Sequence, residues 1–199
     1  MTETPGANND LAAFALALIT SRQNILPKRL ADPGPTPEQV DAMFCCAAAA
    51  PDHGMVMPWR FVVVPKDKRA ELAEAFGQAL RERDAGATEA QVAQARDKAF
   101  RAPFLALAIA RLGPCEPDID PLERMVSVGA AIQNFLLCAH SMGFGSSLTS
   151  GQAMRSGAFR RLFQLAVGEH AVCGINVGTV TKRKPVRLRP EVATFVTRL

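Results

Sequence analysis

His53 is the first of three histidines in this 199-residue chain, and it stands in a loop between two rigid elements. The alanine run Ala47 to Ala50 is stopped by Pro51, and Asp52-His53-Gly54 follow. Then come Met57-Pro58-Trp59-Arg60-Phe61, with the chain's only tryptophan, and Val62-Val63-Val64. Imidazole, indole and guanidinium on a turn clamped between a helix and a strand make the layout of a ligand loop. A second chemical feature is basic: Lys182, Arg183, Lys184, Arg187 and Arg189 fall within eight residues, a setting for an anion. Other chemistries are absent from the pattern. Cys45, Cys46, Cys115, Cys138 and Cys173 lack the paired short spacing of zinc sites, and their odd number argues against a disulfide framework. His53, His140 and His170 are far apart and share no carboxylate motif, so no metal site is expected. No G-x-G-x-x-G follows a strand, no phosphate-binding G-x-x-x-x-G-K-[ST] occurs, and there is no nucleophile elbow or nominated catalytic triad.

The elements that must position these residues follow from periodicity and punctuation. The composition, 48% hydrophobic and 21% charged, fits a single globular domain over residues 1–199. Within it, residues 1–9 read as a flexible N-terminus and residues 187–199 as a C-terminal arm. No stretch approaches the roughly 20 apolar residues of a membrane span. The polar N-terminus has no cationic region ahead of Leu11 to Ile19, so that run reads as an amphipathic helix in a cytoplasmic protein. Helices are expected at about 10–21, from the cap-like Thr36 to about Ala50, at 68–83, 88–100, 122–142 and 152–165. Strands are expected at about 60–64, 104–110, 146–150 and 171–177, with a further short strand from Val192 to Val196. Helices outnumber strands and separate them, which gives a mixed α+β or α/β fold with helices covering a modest sheet. The long helix carries small residues through Ser127-Val128-Gly129-Ala130-Ala131, and reads on composition as a central core helix.

Four segments together resemble the FMN-dependent nitroreductase family. They are Ser21-Arg22-Gln23-Asn24; Ala50-Pro51-Asp52-His53 with Pro58-Trp59-Arg60-Phe61; Ser127 to Asn134 running on to Gly143-Phe144-Gly145; and Val177-Gly178-Thr179. The likeness is greatest to the small, minimal nitroreductases whose loop also reads A-P-D-H. It implies an α+β fold with a central, mostly antiparallel sheet flanked by helices, and a homodimer with the long helix at the interface and FMN bound there. It also implies two-electron reduction of nitroaromatics, quinones or related small acceptors at the expense of NADH or NADPH, by ping-pong hydride transfer. The flavin N5 would carry the chemistry, so no catalytic side chain is nominated.

The resemblance implies a cofactor-binding set residue by residue. Arg22, Gln23 and Asn24 match the family's phosphate motif, with Gln23 where a second arginine is frequent and Asn24 where serine is usual. Arg29 resembles the second arginine of that opening motif. His53 matches the histidine of the A-P-D-H loop, and Leu148-Thr149-Ser150-Gly151 the segment whose main-chain N–H groups approach flavin N5. Lys182 and Arg183, with Arg187 and Arg189, resemble the basic residues that reach the same phosphate from the chain's end. Met55 and Met57 stand where polar flavin contacts are usual, and Trp59 reads as a core anchor. The competing functions are a flavin-binding sensor or storage protein without turnover, and a non-enzymatic interaction protein with a basic tail. No aromatic residues are interleaved with the basic ones, which argues against a nucleic-acid partner.

Overall fold

Strand β3 (Phe104–Arg111) is buried at every position but the last. Successive side chains of a strand point to opposite faces, so a strand covered on both must be apolar throughout, and FLALAIA is. The two faces differ in size. Phe104, Ala106, Ala108 and Ala110 belong to one core, and Leu105, Leu107 and Ile109 to another. The computed structural model describes residues 5–183, 185 and 188–199, with side chains from residue 9 onward.

Beside β3 runs β2 (Trp59–Val63), and on its other side β5 (Glu169–Val180). The long β5 also pairs with β4 (Gly145–Thr149) and with the two-residue β1 (Leu30–Ala31), and every ladder is antiparallel. A single parallel bridge ties Asn24 to Ser146. Helices α2 (Pro37–Ala48) and α5 (Pro121–Ser141) cover the alanine face of β3, whereas α3 (Arg69–Arg83) and α6 (Gly157–Leu162) cover the leucine face. Helix α4 (Glu89–Arg96) packs on α3, and α1 (Pro5–Ser21) leads the chain. The fold is α+β, as expected. No helix among the described residues is long and apolar enough to cross a membrane.

The alanine face sets the position of α5. Methyl groups leave room over the sheet, and Phe135, fully buried at mid-helix, fills it with ring centroids 5.0 Å from Phe44, 5.9 Å from Phe104 and 6.4 Å from Phe61. The helix starts cleanly because the Asp120 side chain accepts the Leu122 N–H and Pro121 needs no partner for a missing donor. It stops at Met142, and Gly143 takes the left-handed turn at φ +87°. Trp59 is the buried core anchor the sequence indicates.

Several boundaries differ from expectation. Helix α1 begins at Pro5 and not near Asp10, so helix extends into the segment read as a flexible N-terminus. The helix expected over 88–100 divides into α4 and a 3-10 turn, Asp97–Phe100; the one expected over 152–165 divides into a 3-10 turn, Gln152–Arg155, and α6. The strand expected from Val192 to Val196 is a 3-10 turn over Val192–Thr194, because the Phe195 and Val196 amides donate back to the Val192 carbonyl and find no sheet edge. The short β1, inside what reads as a basic link, has too few residues to show a period.

One buried ion pair ties the rim of the sheet together. Arg60 donates to both Glu169 oxygens (2.8 and 2.7 Å), with Arg111 3.4 Å away, and this holds the Glu169 carboxyl down at about 2. A depressed carboxyl contributes stability that is fully present above its unfolded value and lost as pH falls through the folded one. The midpoint of urea unfolding is therefore expected to drop between about pH 4.5 and pH 2, by a free energy on the order of 2 kcal/mol. Glu169→Gln should remove that part of the acid limb; an unchanged limb would place the acid sensitivity elsewhere.

Candidate functional site

Two structural ends of β4 gather the residues singled out by sequence. At its start, the segment after α1 is pinned to the sheet by the Asn24–Ser146 bridge, and the Ile25 amide donates to the Ser146 carbonyl at 2.9 Å. Arg22 and Gln23 are thereby held half-buried in place. Arg22 Nε and Gln23 Oε1 are buried, and neither has a hydrogen-bond partner among the described residues. Such groups carry a desolvation cost of about 1–3 kcal/mol each, more for a charge, unless something pairs with them.

The tail comes back to this point. Arg189 Nη2 donates to the Arg22 carbonyl at 2.9 Å, and burial followed by the Arg189 charge pushes the Arg22 guanidinium below its ordinary value. His140, near the end of α5, shares a 2.8 Å hydrogen bond with the Ser21 hydroxyl. Burial, then Arg183 and Arg22, lower the His140 imidazole too. Arg22, Arg183 and Arg189 enter none of the ion pairs found among the described residues. Like charges assembled without a carboxylate repel one another, a cost that a bound anion would relieve. Lys182 is exposed, and no described hydrogen bond or ion pair draws it in; Lys184 and Arg187 lie outside the described residues. Arg29 is half-buried beside β1, and its carbonyl accepts the Thr181 amide at 3.0 Å.

At the other end of β4, Leu148, Thr149, Ser150 and Gly151 follow. From Ser146 to Thr149 the strand advances about 10 Å, at about 3.3 Å per residue. Buried Asn176 braces the turn, donating to Thr149 Oγ1 at 3.1 Å. Gly151 has φ +144°, and a Cβ built on it would meet nothing within 4 Å. The Ser150 and Gly151 amides enter none of the loop and turn hydrogen bonds found among the described residues. A flat ligand can therefore approach bare main chain here and meet donors.

His53 is not brought to this place. It lies in a 3-10 turn, His53–Met55, and its Nδ1 pairs with Glu123 in the first turn of α5. Glu123 and His140 are 17 residues apart on α5, or about 25 Å at 1.5 Å per residue. Within one chain, His53 and Arg22 therefore sit at opposite ends of the long helix. Met55 and Met57 are exposed on the same loop, and the Met57 amide donates to Asp52 Oδ2 at 2.7 Å. Sequence reasoning gave no role to His140, Ser21, Glu123 or Asn176. Their partners lie 119, 70 and 27 positions away, and no local pattern signals such pairs.

The model of the nitroreductase family matches residues 28–179, well over half the chain. The chain belongs to the nitroreductase family. It is 30% identical over 186 residues to a Haemophilus influenzae protein provisionally named NAD(P)H nitroreductase, covering 93% of this chain and 99% of that one. Among solved structures, a nitroreductase-like family protein from Bacillus cereus superposes with a TM-score of 0.79 at 19% identity, covering 100% of this chain and 98% of that one. An FMN and NADPH-dependent nitroreductase from a Sphigopyxis strain gives 0.69 at 16% identity, covering 92% and 98%. At these identities the structural likeness speaks for the nitroreductase fold.

The His53 loop departs from easy backbone geometry. Gly54, Met55 and Met57 have φ of +70°, +51° and +44°. Glycine adopts this region freely and asparagine tolerates it, while other side chains are strained there by about 1 kcal/mol. Met55→Asn is expected to stabilise the protein by about 0.5 kcal/mol, and Gly54→Ala to destabilise it by about 1 kcal/mol or more. Thermal unfolding of the two variants checks this; shifts of the same sign would remove strain as the explanation.

Proposed function

We infer that this nitroreductase-family chain is an FMN-dependent oxidoreductase that takes electrons from NADH or NADPH and passes them to nitroaromatics, quinones or related small acceptors. The carrying observation is the unneutralised cluster of Arg22, Arg183 and Arg189, with Arg22 Nε and Gln23 Oε1 buried and unpartnered among the described residues. The guanidinium groups suit a phosphate, whose oxygens they bind through paired charge-assisted hydrogen bonds, whereas the Gln23 side chain could donate to it only through Nε2. Arg22, Gln23, Asn24, Arg183 and Arg189 would hold the FMN phosphate, with Lys182 free to join from the same tail. The open backbone from Leu148 to Gly151 would face the ring. Reversible two-electron transfer is the chemistry that the flavin supplies when bound. The chain's own contribution would be positional and electrostatic: the cations would neutralise the phosphate, and the Ser150 and Gly151 amides would be available as donors to negative charge on the ring.

The same reading makes the protein a homodimer. Leu11, Phe14, Leu16 and Ile19 of α1 are each more than half exposed, as are Leu122 and Val126 of α5, and the Cβ direction of Gly129 is open. An apolar surface on two helices of one chain is the kind that a second copy covers. A second copy would also supply His53 to the other chain's site, since its own lies about 25 Å from Arg22 along α5.

The purified protein is expected to be yellow, to bleach with NADPH or NADH in the absence of oxygen, and to regain colour on adding a quinone or nitroaromatic. A colourless protein that takes up no FMN would overturn the assignment; bleaching without reoxidation by any acceptor except oxygen would make it a sensor or store. Arg22→Ala should weaken FMN binding roughly 10- to 100-fold, from the loss of a charged hydrogen bond. Arg81→Ala, whose guanidinium is held by Glu89, should leave it unchanged. Val126→Glu should shift sedimentation toward a monomer.

A further inference from the structure

A cavity of about 510 Å³ opens on the leucine side of the sheet, between α3, α4 and the Thr149–Gln152 segment. Its size is that of pockets for small organic molecules. Leu72, Phe76 and Leu107 contribute an apolar floor, while Arg83, Lys98 and Arg101 stand in its wall. None of these three cations enters an ion pair among the described residues, although the nearby Arg81 of α3 and Arg96 of α4 are held by Glu89 and Glu74. Asp84 is the one carboxylate of the wall, and its Oδ1 already accepts the Gly86 amide at 3.0 Å. The Lys98 ammonium lies over the Phe76 ring, 5.9 Å from its centroid. Burial, then the Arg101 and Arg83 charges, push Lys98 below the ordinary lysine value. Three cations against one carboxylate leave an excess of positive charge, which an anion relieves.

We propose that this cavity receives the electron acceptor and selects a flat aromatic molecule carrying a carboxylate, with its ring on the Phe76 floor and its carboxylate at Lys98, Arg83 and Arg101. The proposal rests on the flavin assignment in one respect: Thr149, Ser150 and Gly151 wall the same cavity, so a ring inside it lies beside the segment given to the flavin edge. Floor and cations belong to one compact space, which fits an acid and its ring in a single small molecule better than a long dinucleotide with distant phosphates.

Two isosteres separate the charge from the ring: 4-nitrobenzoate and its neutral amide, 4-nitrobenzamide. With the FMN-loaded enzyme, kcat/KM should favour the acid, and Lys98→Met, which removes the charge and keeps an unbranched side chain, should cut the acid-to-amide ratio about tenfold. Arg101→Gln should act in the same direction, whereas Arg81→Gln, off the cavity wall, should leave the ratio alone. Calorimetric binding of the two compounds, with and without FMN, gives a readout apart from turnover. A protein that takes up no FMN but binds the acid over the amide, with the preference lost in Lys98→Met, would overturn the flavin assignment and keep the anion site. An acid-to-amide ratio near one in the wild type, or unaltered in both variants, overturns the proposal. So does Lys98→Met slowing anaerobic flavin reduction by NADPH as much as it slows the acid, since the anion recognised would then be the nucleotide's.

Discussion

Helix α5 lies against the alanine row of β3, and the closeness of that contact sets where both ends of the helix fall. Ala106, Ala108 and Ala110 let the helix approach, and Phe135 locks it among three other rings. A larger side chain in the alanine row would have to displace that ring cluster, because close-packed interiors absorb extra volume by moving. With α5 fixed, His140 arrives beside Ser21 and Arg22 at one end, and Glu123 meets His53 at the other. About 25 Å of stiff helix separates them. The sheet then adds β4, which carries its two chemical groups on its own two ends. Packing in the middle of the molecule thus places chemistry at its periphery.

The treatment of buried cations elsewhere in the chain makes the Arg22 cluster stand apart. Arg69 is buried, yet its guanidinium donates to the carbonyls of Val64, Ala99, Ala102 and Pro103. Arg124 is clamped by the carbonyls of Cys115, Pro117 and Ile119 and so holds the proline-rich loop to α5. Arg60 has Glu169. Each of these is satisfied within the fold, as buried charges generally must be. At Arg22 the fold brings further positive charge from the tail instead. Cations gathered where structural arginines gain acceptors would be relieved by an anion from outside the chain.

Much of the fold was legible because its signals are local. Thr36 with Gln39 forms the capping box that starts α2, the alternating use of β3 shows as an unbroken apolar run, and Gly143 marks the end of α5. The motif residues Arg22, Gln23 and Asn24 and the segment to Gly151 could be named from resemblance, and the structure brings them to the two ends of one strand. What could not be read has a physical reason in each case. A two-residue strand such as β1 has no period. The tail from Val192 to Val196 has strand-forming residues but no edge to pair with, and so it curls into a turn. The separation of His53 from Arg22 within one chain could not be read either, because sequence holds no information on which end of a 21-residue helix a loop will meet. The cavity beside Lys98 was invisible for the same reason: its cations read as ordinary charged positions on helical faces until α3 and α4 fold over the sheet.

The antiparallel strand β4 also works as a ruler. Its register on β5 is fixed pair by pair from Gly145 with Gly178 to Thr149 with Gly174, and its start is tied to Asn24. The gap between the two ends of the strand, the proposed phosphate and ring ends of a flavin site, is therefore set by backbone hydrogen bonds, which side-chain substitution leaves in place. A cofactor lacking its phosphate would satisfy one mark on the ruler and leave the cations at the other unneutralised. In the proposed flavin site, the measure that distinguishes a mononucleotide from the corresponding nucleoside is in this sense written in main chain.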